Sequence, residues 1–133
     1  MAGTLKKNHS KNPTYLNHAI VGTAGNDILL GSANDDTIIG GDGDDRLLGA
    51  AGADDLDGGL GIDMVQYTGS AAGVTVNLNA ASLGVQSASG GDEEGDTLTG
   101  FERADGSDFA DTLTGNAQNN FLRGWAGADT INA

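Results

Sequence analysis

Residues 22–66 read GTAGNDILL GSANDDTII GGDGDDRLL GAAGADDLD GGLGIDMVQ, nonapeptides that follow one another without a break. The sixth slot is always aspartate: Asp27, Asp36, Asp45, Asp54 and Asp63. The eighth is always aliphatic (Leu29, Ile38, Leu47, Leu56, Val65), and the first is always glycine (Gly22, Gly31, Gly40, Gly49, Gly58). The fourth is Gly25, Gly43, Gly52 or Gly61, with Asn34 once. Self-similarity at a fixed short period marks a repeat architecture and takes precedence over a residue-by-residue reading of secondary structure.

Each slot has a physical reason. Glycine at slots one and four permits a tight turn and lets main-chain carbonyls come close to a ligand. The last three residues form one short strand whose middle side chain points to one face and whose neighbours point to the other. A turn and a strand per nonapeptide make a coil of two repeats, so repeat n lies under repeat n+2 about 4.8 Å away. The aliphatics stack inward. Asp27, Asp45 and Asp63 line one edge, and Asp36 and Asp54 the other.

Such edges are electrostatically expensive. Like charges about 4 Å apart repel by about 4 kcal/mol at an effective dielectric near 20. The chain has little to set against this, with 38% hydrophobic and 5% aromatic residues and 23 glycines. A divalent cation between successive turns converts repulsion into attraction. Carboxylates and carbonyls in a chain with no cysteine and only 2 histidines select a hard cation, and a flexible oxygen shell favours calcium over magnesium. Stacking the contiguous repeats two apart gives about three internal sites in 22–66.

The copy Gly40-Gly41-Asp42-Gly43-Asp44-Asp45-Arg46-Leu47-Leu48 resembles the RTX, or hemolysin-type, calcium-binding nonapeptide G-G-x-G-x-D-x-U-x. The resemblance implies an all-β fold, a right-handed parallel β-roll or β-helix solenoid of the serralysin type, with calcium bound in the turns between stacked coils. Its ligands would be the sixth-slot aspartates and the turn carbonyls around Gly22, Gly25, Gly31, Gly40, Gly43, Gly49, Gly52, Gly58 and Gly61. It also implies a secreted bacterial protein that passes through type I secretion machinery beside a fused or neighbouring secreted domain. Departures fall at slot two (Thr23, Ser32, Ala50) and at Asn34. A carbonyl exists whatever the side chain, so these are expected to weaken geometry rather than remove ligands.

Outside this block the signal fades. Residues 1–21 form a basic head with Lys6, Lys7 and Lys11; Tyr15, Leu16, Ala19, Ile20 and Val21 could cover the first coil. Residues 67–90 are an uncharged insert in which Val74, Val76 and Leu78 alternate with polar residues, the pattern of one half-buried strand. The register returns in degenerate form over 91–133, interrupted by an insertion at 100–105. There Asp111 and Asp129 form the best stacked pair, for one or two further calcium ions. Asp96 is an even choice, and Asp35, Asp44 and Asp55 read as solvated. Trp125, at a slot-two position, reads as a surface or packing aromatic.

Charge and motif content narrow the function. The net charge is −13, and all 19 acids lie from Asp27 onward. A body this acidic repels nucleic acid and anionic lipid. No apolar run approaches the roughly 20 residues of a membrane span, and the polar stretch after Lys7 argues against a cleaved leader. H-E-x-x-H, G-x-S-x-G and Walker patterns are missing, so the reading is no enzyme. Nothing at the C-terminus resembles the family's secretion signal, which leaves open a whole protein or a module of a longer one. Alternatives are a freestanding calcium-stabilised adhesin or surface-layer protein and, behind it, an ice-binding solenoid suggested by Thr97/Thr99 and Thr112/Thr114. A flat threonine row is spoiled by Ile28/Leu30 and Arg46/Leu48 in the first block.

Overall fold

The computed structural model describes residues 4–7, 18–79, 86–89 and 95–133. Its described elements are all strands: β1 (Thr4–Lys7), β2 (His18–Val21), β3 (Asp27–Leu30), β4 (Asp36–Asp42), β5 (Arg46–Leu48), β6 (Asp55–Leu60) and β7 (Met64–Gln66). They continue as β8 (Thr75–Asn77), β9 (Gln86–Ser89), β10 (Asp96–Thr99), β11 (Arg103–Asp105), β12 (Thr112–Thr114), β13 (Phe121–Arg123) and β14 (Thr130–Asn132). Three residues between glycine-containing turns cannot form a helical turn with partners of its own, so each segment must pair laterally.

Lateral pairing produces two sheets, one in the order β1-β3-β5-β7-β11-β13 and one in the order β14-β12-β8-β9-β10-β6-β4-β2. Within the repeat block the pairs are parallel and offset by two nonapeptides: Leu29 opposes Leu47, Leu47 opposes Val65, and Ile38 opposes Leu56. The chain therefore alternates between the sheets as it climbs. This is a parallel β-roll.

The core is the space between the two sheets. Leu29, Leu47, Val65 and Ala104 enter it from one side, and Ile20, Ile38, Leu56, Leu98, Val76 and Leu113 from the other. Burying a side chain of the Val, Leu or Ile size contributes roughly 1.5–3 kcal/mol, so each coil adds only a thin increment. Ile20 lies opposite Ile38 and joins this core, making the end of the basic head a continuation of the stack. Tyr15 and Leu16 fall outside the described residues, as do Gly91 to Glu94 at the start of the degenerate block.

The segment after β7 departs from simple coiling. β8 joins the second sheet beside β12, β9 runs antiparallel to both β8 and β10, and β10 returns to pair with β6. The excursion thus inserts strands within the sheet without breaking it. Fully buried Tyr67 and Phe101 occupy the interior where the chain leaves and rejoins. The stretch 100–105, expected as an insertion, supplies β11, in which Ala104 opposes Val65. Counting back two residues puts Glu102 in the sixth slot and alanine in the eighth, a repeat too altered to recognise by composition.

Candidate metal centre

The turns end on a sixth-slot carboxylate that folds back into the roll, or on an amide at Asn120. Asp27, Asp36, Asp45, Asp54, Asp63, Asp96 and Asp111 are all buried, contrary to the usual placement of aspartate at the surface. Glycine at slot one is what allows this. A Cβ on Gly49 or Gly106 would overlap the carboxylate of Asp54 or Asp111 of its own turn. On Gly22, Gly31 or Gly40 it would also strike the carbonyl oxygen of the slot-one glycine one coil on. Carbonyl and carboxylate oxygens are thereby gathered along each edge.

One carboxylate oxygen is spent on stacking the coils. The Asp27 N–H donates to Asp45 Oδ1, the Asp36 N–H to Asp54 Oδ1 and the Asp45 N–H to Asp63 Oδ1, each at 2.8 Å. The first edge runs on to Glu102, whose Oε2 takes the Asp63 N–H at 3.0 Å, and then to Asn120, whose side-chain amide donates to the Glu102 carbonyl. The second runs on to Asp96 Oδ1, which takes the Asp54 N–H at 2.8 Å. Beyond the insert the Val74 N–H donates to Asp111 Oδ1 at 2.8 Å, and the Asp111 N–H to Asp129 Oδ1 at 3.0 Å. The two edges expected from the sequence are assembled in this way, and Asp111 and Asp129 are brought together.

The second oxygen separates the turns. Oδ2 of Asp45, Asp54 and Asp63 is buried and has no hydrogen-bond partner among the described residues. These residues are 2%, 1% and 0% exposed, so water does not supply the missing bonds from bulk. A buried carboxylate oxygen without a partner is costly to hold. Burial accordingly raises all three acids above the ordinary carboxylate range, Asp63 to about 6 and Asp54 to about 8. Desolvation is the largest cause for each. Neighbouring acids add to it, while the N–H of the coil below lowers the value. Repulsion between stacked charges, the main cost expected from the sequence, ranks behind the loss of water.

These atoms fit a hard cation. A divalent ion would neutralise the buried carboxylates, and the adjacent turn carbonyls could complete an oxygen shell. No group of three or more His, Cys, Asp or Glu side chains converges among the described residues. A site in these turns therefore draws on roughly one carboxylate per turn and relies on main-chain oxygen for the rest.

Acids at the fifth slot behave differently from expectation. Asp35 Oδ1 accepts the Ala53 N–H and Asp44 Oδ1 the Ile62 N–H, both at 2.9 Å, and Asn26 Oδ1 accepts the Asp44 N–H at 2.8 Å. They reach to the following coil while the sixth-slot acids reach to the preceding one. In the seventh slot, at the start of β6, Asp55 takes the Thr97 hydroxyl at 2.8 Å. Composition gave no signal for these bonds, because an exposed acid in a turn is ordinarily solvated. Trp125 is exposed and lies under the Arg123 guanidinium, 4.6 Å from its ring centre.

A parallel β-roll whose turns carry buried, cation-seeking oxygens defines a class of metal-stabilised repeat protein. The family model described as RTX calcium-binding nonapeptide repeat (4 copies) matches the chain over residues 19–47, 30–65 and 105–133. These cover more than half of its length, and the chain belongs to that family. No curated protein matches it. Calcium binding by these repeats is thus a family property, and no described helix is long and apolar enough to cross a membrane.

Proposed function

We propose that the chain is a calcium-dependent folding module, a structural and secretion-associated part of a secreted bacterial protein, and that it carries no catalytic activity. The observation that supports this best is the set of buried, unpartnered oxygens on Asp45, Asp54 and Asp63. In a catalytic site such groups would face a cleft holding a nucleophile or a second acid positioned for proton transfer. Here they lie against the slot-one glycines of their own turns, Gly40, Gly49 and Gly58. Their chemistry is completed by an ion that joins one coil to the next.

Calcium is the cation proposed, with ligands among the sixth-slot acids of 22–66 and of the Asp111–Asp129 pair and the carbonyls of their turns. Its role is to remove the cost of burying charge and so allow the thin core to close. Export through type I machinery is proposed from the family resemblance, with closure following on the outside, where calcium is abundant. The test is circular dichroism in excess chelator and then in millimolar calcium, paired with calorimetric titration. Gain of β structure together with heat of binding is expected. An already folded spectrum in chelator, unchanged by calcium, would reject the proposal.

A further inference from the structure

The turns are of two kinds, and the residue in slot two separates them. In the turn before Asp27 the Thr23 N–H donates to Asp27 Oδ2 at 2.6 Å, and its hydroxyl contacts the same carboxylate and accepts the Gly25 N–H. Ser32 does the same for Asp36, with its N–H at 2.6 Å, and Ser107 for Asp111, with its N–H at 2.7 Å. The turn before Asn120 repeats the arrangement through the Asn116 N–H, at 2.7 Å from Asn120 Oδ1. In these turns the second sixth-slot oxygen is already satisfied. Asn120 adds that the closed turn needs no charge at all.

The other turns have slot two in the left-handed region: Gly41 at φ 106°, Ala50 at 72° and Gly59 at 95°. No N–H from slot two reaches the carboxylate there, and Asp45, Asp54 and Asp63 keep the unpartnered oxygen. Trp125, at φ 67°, and Gly127, at 110°, place the turn before Asp129 in this group. Asp96 is closed by a different route, since its Oδ2 takes the Tyr67 hydroxyl at 2.9 Å inside the core.

We infer that only the open turns, those ending on Asp45, Asp54, Asp63 and Asp129, centre calcium sites, and that the turns ending on Asp27, Asp36, Asp111 and Asn120 are closed metal-free by their own hydroxyl or amide. The inference rests on reading the roll as a calcium module. Slot-two threonine, serine and asparagine are then not weakened glycines but replacements for an ion. The roll would be a composite, with metal-free turns flanking metal-bound ones along the same edges.

Counting calcium per chain by native mass spectrometry at saturating calcium tests it, with unfolding followed in parallel. Asp36→Asn should keep the wild-type count, since asparagine already closes the turn at 120. Asp54→Asn should lose at least one ion. Ala50→Ser, which offers a capping hydroxyl and removes the need for a left-handed alanine, should also lower the count while raising the β structure retained in chelator. If Asp54→Asn does not fold, the other two variants still decide. Equal loss from Asp36→Asn and Asp54→Asn, or an unchanged count in Ala50→Ser, would overturn the two-turn inference and leave the calcium module standing. No calcium bound to the wild type would overturn both.

Discussion

At the scale of single residues, Asp45, Asp54 and Asp63 are held in a protonation state that depends on burial and on the metal. Burial raises Asp54 to about 8, with Asp96, Asp36 and Asp35 adding to it, and Asp63 to about 6, with Asp45, Glu102 and Asp44 adding. A carboxyl raised above its unfolded value of about 3.8 contributes its full stability below that pH and loses it as pH climbs through the folded value. The metal-free roll is therefore expected to melt highest at or below about pH 4 and progressively lower as pH climbs through about 6 and about 8, against the usual acid sensitivity of proteins. In saturating calcium the trend reverses, because protons compete with the ion for the same oxygens. Thermal melts across this range, in chelator and in calcium, check both slopes; a metal-free midpoint that rises with pH would contradict the desolvation described. A second outcome concerns neighbouring slots. Asp45→Ala removes a buried oxygen with no partner and the stacking bond to Asp27, whereas Asp35→Ala removes one exposed hydrogen bond. Calorimetric titration should show a lost or weakened calcium site only for Asp45→Ala, and equal losses would mean that the fifth slot also holds metal.

At the scale of strands and turns, the register of β3 to β7 could be read from the spacing, because every eighth-slot side chain is a large aliphatic that must face inward. The β11 strand could not, because its slots hold Glu102 and Ala104, neither of which stands out in composition. The β9 strand, Gln86–Ser89, carries no large apolar residue, so nothing distinguished it from a loop, and antiparallel insertion into a parallel sheet follows from no repeat. The edges of the candidate site were readable for the same reason as β3 to β7. The division between open and closed turns was not, since it depends on the backbone angle at slot two and on which N–H reaches the carboxylate. The hidden repeat has a measurable consequence. Glu102→Ala leaves the Asp63 N–H without its acceptor, a loss expected to cost about 1–3 kcal/mol, whereas the exposed Asp108→Ala should fall within about 0.5 kcal/mol of the wild type. Urea denaturation in calcium compares the two, and similar midpoints would remove Glu102 from the ladder. In the core, Leu47→Ala is expected to cost about 2–5 kcal/mol by the same measurement, because the side chain is fully buried between the sheets.

At the scale of the whole molecule, a thin aliphatic core and two edges of buried carboxylates make folding depend on what the solution contains. A ligand bound only by the folded state stabilises it by RT ln(1 + [L]/Kd), about 2.7 kcal/mol per site at a hundredfold excess over Kd. Sites at Asp45, Asp54 and Asp63 together would then add about 8 kcal/mol, comparable with the entire stability of a small domain. Where calcium is scarce that contribution vanishes and the desolvation cost remains. Cooperativity follows from the connectivity. Asp45 accepts from the coil below through Oδ1 and donates its own N–H to Asp63, so disturbing one turn loosens the coils on both sides. The closed turns at Thr23 and Ser32 need no ion, and they should hold the beginning of the roll together at calcium concentrations too low to fill the open ones. The unfolding midpoint measured from about micromolar to ten millimolar calcium should therefore rise steeply over a narrow interval above cytosolic concentrations. Hydrogen exchange at low calcium should find residual protection around β3 and β4, ahead of β5 to β7. A flat midpoint, or one already saturated at micromolar calcium, would exclude a switch set by compartment even with ions bound in the turns.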